Sequence, residues 1–230
     1  VVKTMHDTLP ADPWHAYYQA PAFLTALIGK GALGQKTKAG IFVKKGKEIH
    51  VLDLAKQDYR PSAGAIAEEV QAILKEKSPA QQFARLRASV HPQAQFLWAI
   101  FRDLFHYCAV HLAEIAHCAR DVDFAIRWGF GWKLGPFELW QAAGWQQVAG
   151  WIAEDIAAGK TMAKAPLPAW VTDGRAGVHG PQGSFSAADG TMPPRSTLPV
   201  YARQAFPELV LGEKPAGRGT TVFEDEGVRL

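Results

Sequence analysis

Cysteine is nearly missing: Cys108 and Cys118 are the only two in 230 residues. Two thiols cannot make a disulfide framework, and a chain so poor in cysteine is expected in a reducing compartment, the cytoplasm. Excess charge of one sign is also missing. The formal net charge is +3, too mild to argue for a nucleic-acid partner. No apolar run reaches the length needed to cross a membrane. There is no Gly-x-Ser-x-Gly, no phosphate loop and no paired Cys-x-x-Cys, so the common nucleophile, nucleotide and zinc signatures are absent. The chain starts Val1-Val2-Lys3, without an initiator Met or a signal-peptide pattern, and is expected to be a piece of a longer protein.

What remains is ordinary globular material, 48% hydrophobic and 20% charged, enough for one or two cores. Helical spacing predicts a short helix over Ala22–Lys30, ended by Gly31. Ile41-Phe42-Val43 and Ile49-His50-Val51-Leu52 flank Lys45-Gly46 and read as a β-hairpin. Pro61-Ser62 is read as the start of a helix running to about Lys77. Ser78-Pro79-Ala80-Gln81 has the cap, the proline and the glutamine of a further helix start. The longest helix is expected over Gln93–Cys118, with Leu97, Ile100, Leu104, Cys108, His111 and Ile115 as its buried stripe. Phe101 is expected to be buried beside Phe105. Asp121 can cap the next helix, Pro136 opens one reaching Ala143, and Trp145–Ala158 forms another ending at Gly159. Past Gly174 the prolines 193, 194, 199, 207 and 215 forbid long helices, leaving room for one short helix around Val200–Phe206.

The most informative stretch is Ile126-Arg-Trp-Gly-Phe-Gly-Trp-Lys-Leu-Gly-Pro-Phe-Glu-Leu139. Gly129 fits a position just past a helix end and Pro136 the first helical turn. As a dinucleotide fingerprint the stretch fails, because its glycines are spaced G-x-G-x-x-x-G and a helical pattern precedes them. With Asp121-Val-Asp-Phe-Ala-Ile126 before it, however, it resembles the signature of the helical C-terminal domain of 3-hydroxyacyl-CoA dehydrogenases. A second motif, Leu33-Gly-Gln-Lys36-Thr37-Lys38-Ala-Gly40-Ile-Phe42, resembles the end of the same domain. A weak internal repeat supports a tandem arrangement: Pro21-Ala-Phe-Leu precedes Gly40-Ile-Phe42 and Lys45-Gly46, and Pro168-Ala-Trp-Val precedes Gly183-Ser-Phe185 and Asp189-Gly190.

The resemblance implies a mainly α fold, a helical bundle of the 6-phosphogluconate dehydrogenase C-terminal-like type, in tandem degenerate copies with short β-hairpins and an irregular tail. Residues 1–60 would end a first copy, 61–190 would form a second, and 191–230 would link to a downstream domain. Multifunctional relatives place an enoyl-CoA hydratase there, and the alternating run Val222–Leu230 is read as its threshold. The two copies would pack about an approximate two-fold axis, and a homo-oligomer stays open because single-domain relatives dimerise through this domain. The activity implied is NAD-dependent oxidation of (S)-3-hydroxyacyl-CoA in fatty-acid β-oxidation, with the catalytic His and Glu in an adjacent dinucleotide-binding domain. This chain would then supply cleft walls and assembly surfaces, bind no NAD and be inactive alone. Where the family carries an Asn before an Arg, the second copy reads Phe101-Arg102, which removes an oxyanion donor. Lys36, Thr37 and Lys38 are the candidate acyl-CoA contacts, with Lys44, Lys45 and Lys47 nearby. A solvated hairpin accounts for the same lysines. His106, Cys108, His111, Glu114, His117 and Cys118 share one helix, where a metal site competes with simple packing. The alternative to an enzyme segment is a helical scaffold that shares only the packing motif.

Overall fold

The computed structural model describes residues 1–62, 64–196 and 198. It is mainly helical, and it divides into two compact units, Val1–Gln71 and Ala72–Leu230. The expectations for Val200–Phe206 and Val222–Leu230 lie outside the described residues.

The first unit opens with α1 (Val2–Thr8) and α2 (Ala22–Gly29). Its sheet is antiparallel, β1 (Phe42–Lys45), β2 (Glu48–Asp53) and β3 (Asp58–Pro61) in that order. The expected hairpin is there, with Lys45 opposite Glu48 across Gly46-Lys47. The third strand corrects the reading of Pro61 as a helix start. The Asp53 carboxylate accepts the amides of Ala55 and Lys56, each at 3.0 Å, which folds the chain back so that His50 faces Pro61. A proline at the end of an outer strand costs no ladder bond. The helix that follows, α3 (Glu68–Leu74), is correspondingly shorter than expected.

The second unit is built from α4 (Pro79–Ala88), α5 (Pro92–Ile115), α6 (Ala119–Phe130) and α7 (Pro136–Ala157). The Ser78 hydroxyl caps α4 by accepting the Gln81 amide. Gly144, with φ 99° and ψ 90°, breaks α7 into the two helices that the sequence suggests. Helices α4, α5 and α7 pack on one another and α6 packs on α7. A column of rings fills the centre: Phe83 stacks on Phe105 (5.8 Å), Phe105 on Trp140 (5.4 Å) and Trp140 on Trp145 (4.2 Å). Each buried indole N–H has an acceptor. Trp98 donates to Asp155, Trp140 to the Trp145 carbonyl and Trp145 to the Val171 carbonyl.

The buried face of α5 is not the expected stripe. Ile100 is 44% exposed and Ile115 is 53% exposed. Cys108 and His111 are buried as expected, but the other residues inside are Ala94, Trp98, Arg102, Asp103, Phe105, His106, Ala109 and Leu112. Counting apolar residues misplaces this face because part of it is ionic. The Arg102 guanidinium donates to Asp155 (3.2 Å), Asp103 (2.7 Å) and the Lys160 carbonyl (2.6 Å). Arg87 adds a second cation 3.0 Å from Asp155. Charges paired in this way can be buried without the cost of a lone ion.

Phe101 is only partly buried, at the edge of the column, where it meets Phe83, Phe105 and Trp132. Urea unfolding should therefore separate two neighbours. Phe105→Ala is expected to cost about 3–5 kcal/mol and Phe101→Ala about 1–3 kcal/mol. Equal costs would contradict this placement.

Candidate functional site

The glycine-rich turn joins α6 to α7, and its geometry is set by one carboxylate. Asp123, on α6, is fully buried and accepts the Phe137 amide at 2.8 Å and the Glu138 amide at 3.5 Å. Glu138 reaches back to accept the Gly135 amide at 2.8 Å and pairs with Arg127 at 3.1 Å. A negative group on the first amides of a helix satisfies donors that the helix itself cannot and opposes its dipole. Burial pushes the carboxyls of both Asp123 and Glu138 above their ordinary range, while these hydrogen bonds pull them back. Gly135 is glycine for a packing reason: a Cβ there would lie 2.3 Å from the Cα and Cβ of Asp123. Gly129, expected just past the helix end, lies inside α6. Gly131 ends the helix instead, with φ 70°.

The other Asp123 oxygen receives Nε2–H of His179 at 2.7 Å, and His179 Nδ1 lies 2.9 Å from the Ser184 hydroxyl. His179 and Ser184 belong to the small hairpin β4 (His179–Gly180) and β5 (Gly183–Ser184). A Ser–His–Asp row suggests acyl transfer, but a nucleophile must meet a carbonyl. Ser184 and Asp123 are completely inaccessible and His179 nearly so. The row is a clasp that ties the hairpin to the α6–α7 turn.

This arrangement also tests whether the turn fits NAD. A dinucleotide needs free amides at a helix start to receive its phosphates. At α7 those amides already bind Asp123 and Glu138, so a phosphate would meet two carboxylates. Both described sheets are antiparallel, with no strand–helix–strand crossover among the described residues. The start of α7 does not fit the cofactor's phosphates.

The cysteines and histidines of α5 and its end go separate ways. His106 donates to the Ala165 carbonyl at 2.8 Å, and burial lowers its pKa. His111 pairs with Glu114 at 3.2 Å, and the Cys118 thiol faces Asp121. Burial pushes the Cys108 thiol up to about 12. Among the described residues no three His, Cys, Asp or Glu side chains converge as metal ligands.

In the first unit, the Leu33–Phe42 motif closes on itself. The Thr37 hydroxyl accepts the Leu33 amide at 2.8 Å and lies within bonding distance of the Gly34 and Ala39 carbonyls, at 3.1 and 3.0 Å. The Tyr59 hydroxyl donates to the Gly40 carbonyl. Lys36 and Lys38 are exposed. Beside it runs an open groove of about 1130 Å³, walled by Leu24, Ile28, Leu33, Ile41, Phe42 and Ile49, with Lys38 and Lys44 on its border. Phe42 and Ile49 are more than half exposed there. So contiguous an apolar face is a mark of a binding or assembly surface.

Over 165 residues the chain is 31% identical to a Bacillus subtilis (strain 168) protein named as a probable 3-hydroxyacyl-CoA dehydrogenase, a match that covers 67% of this chain and 21% of that protein. This chain is homologous to part of a 3-hydroxyacyl-CoA dehydrogenase. A Rickettsia felis (strain ATCC VR-1525 / URRWXCal2) protein, named as a fatty acid oxidation complex trifunctional enzyme, is 26% identical over 156 residues, covering 64% of this chain and 20% of that protein. The chain thus spans about a fifth of the length of the curated relatives it matches. No protein-family model matches it, and no solved structure matches it. Among the described residues no helix is long and apolar enough to cross a membrane.

Sequence reasoning singled out the Gly-Pro-Phe turn but missed Asp123, His179 and Ser184. Asp123 was passed over for Asp121, which does complete the α6 cap by accepting the Cys118 amide. Carboxylates spaced two apart can serve two different helices, and that was the available signal. Gly135→Ala should lower stability by about 1–3 kcal/mol or more, since backbone must move to admit the methyl. A melting temperature equal to wild type would contradict the close approach.

Proposed function

We propose that this chain is a helical segment of an NAD-dependent 3-hydroxyacyl-CoA dehydrogenase of cytoplasmic fatty-acid β-oxidation, where it walls the acyl-CoA cleft and joins the domains. The observation that carries the proposal is the 165-residue similarity to the Bacillus subtilis protein. The reaction turns the 3-hydroxyl of the thioester into a ketone, and NAD, when bound, accepts the hydride. The proton-transferring His and its Glu belong to the neighbouring dinucleotide-binding domain, so this chain is inactive by itself. Its own contribution is shape and charge.

The groove of the first unit suits the parts of a fatty acyl-CoA. Ile28, Phe42 and Ile49 offer apolar wall for the acyl chain, while Lys38 on the groove's border and the exposed Lys36 near it in sequence supply cations for the phosphates. Thr37 acts through the loop, holding both lysines on a fixed turn. The second unit, with Phe101 in place of a polar donor and a closed polar clasp at its turn, serves assembly as a degenerate copy of the same domain.

Titration calorimetry tests this directly. Palmitoyl-CoA should bind the chain, and Lys36→Glu with Lys38→Glu should weaken it at least about tenfold, equivalent to about 1.4 kcal/mol. NAD should give no heat, and 3-hydroxyacyl-CoA with NAD should give no NADH. Micromolar NAD binding, or acyl-CoA affinity indifferent to the lysines, would overturn the proposal.

A further inference from the structure

A second pocket lies in the second unit, at the start of α6, with a volume of about 480 Å³. Its walls are Cys118, Arg120, Phe124 and Trp128 on one side and Pro193, Pro194 and Arg195 on the other. Arg120 is 6% exposed, yet its Nε and Nη2 atoms have no hydrogen-bond partner. Among the described residues Arg120 has no ion pair either, in a unit where Arg87, Arg102 and Arg127 each hold a carboxylate. A guanidinium taken from water without a partner is costly, and its planar fork matches a phosphate. Of the carboxylates nearby, Asp121 lines the pocket with its oxygen turned to the Cys118 amide and thiol, and Asp189, within electrostatic range of His117, accepts from Thr191. Arg195 stands on the far wall.

The aromatic wall adds a second kind of recognition. Phe124 and Trp128 stack with centroids 4.8 Å apart, and Trp128 is 62% exposed. A stacked pair of rings one helical turn apart, the outer one exposed, beside a buried cation suits a ligand that is flat at one end and anionic at the other. The first amides of α6 play no part, being engaged already: Ala119 donates to the Phe185 carbonyl and Cys118 to Asp121. We propose that this pocket binds a purine nucleotide, with Arg120 on its phosphate and the Phe124–Trp128 pair against its base. The site is separate from the acyl-CoA groove of the first unit and does not depend on the dehydrogenase reading.

Tryptophan fluorescence and thermal unfolding of the whole chain, with ADP as the probe and pyrophosphate and adenosine beside it, test the proposal. ADP should quench the fluorescence and raise the melting temperature, more strongly than either control. Arg120→Met should weaken ADP at least tenfold while leaving the free protein at least as stable as wild type, since no hydrogen bond is lost. Trp128→Ala should weaken ADP several-fold and pyrophosphate not at all. No ADP response at millimolar concentration, ADP bound no better than pyrophosphate, or affinity kept in Arg120→Met would each overturn it.

Discussion

The second unit depends on one buried carboxylate. Asp123 sits where three pieces of chain meet: its own helix α6, the first turn of α7 and the β4–β5 hairpin. It replaces water for two amides and one imidazole, groups that would otherwise be buried without partners. The close approach this requires leaves no room for a side chain at Gly135. With α7 thus anchored, Phe137, Trp140 and Trp145 are aimed into the ring column, and the Trp145 indole reaches the Val171 carbonyl beyond the helix. A polar contact at the edge of the unit therefore fixes the direction of its apolar centre.

A second ionic knot works at the other end of α5. Asp155 gathers Arg87, Arg102 and the Trp98 indole, and Arg102 reaches the carbonyl of Lys160 just past the end of α7. Such pairs add little net stability against an apolar substitute, but removing one partner strands the other, at about 3–5 kcal/mol. Between the two knots the rings fill volume. The first unit has no comparable interior: its buried apolar residues are few, and its groove leaves Ile28, Phe42 and Ile49 exposed. Its order comes from local hydrogen bonds around Thr37, Asp53 and Tyr59, consistent with a surface shaped to meet something else.

Much of this fold is legible in the sequence where the cause is local. The Gly46 hairpin, the Ser78 cap, the Gly144 break and the α6–turn–α7 arrangement all follow from residues within a few positions of one another. The errors arise where the deciding partner is distant. The face of α5 is right at Cys108 and His111 but misplaced in its first half, because Arg102 and His106 look solvent-bound until Asp155 and the Ala165 carbonyl are found, more than fifty residues on. Strand β3 is missed because Pro61 has two uses and only the pairing with His50 chooses between them. The family resemblance of the Gly-Pro-Phe turn is visible in the sequence and the homology bears it out, but the reason for its glycine is not, since that reason is the backbone of Asp123. Arg120 could not have been singled out at all, for a lone arginine at a helix start looks solvated until its burial is known.

The central claim is that Asp123 and His179 act as one clasp holding the turn, not as members of a reacting triad. A double-mutant cycle in urea, with Asp123→Ala, His179→Ala and both together, measures this directly. The account predicts a coupling energy above about 1 kcal/mol, because either change alone already breaks the shared bond. Costs that add to within about 0.5 kcal/mol would contradict it.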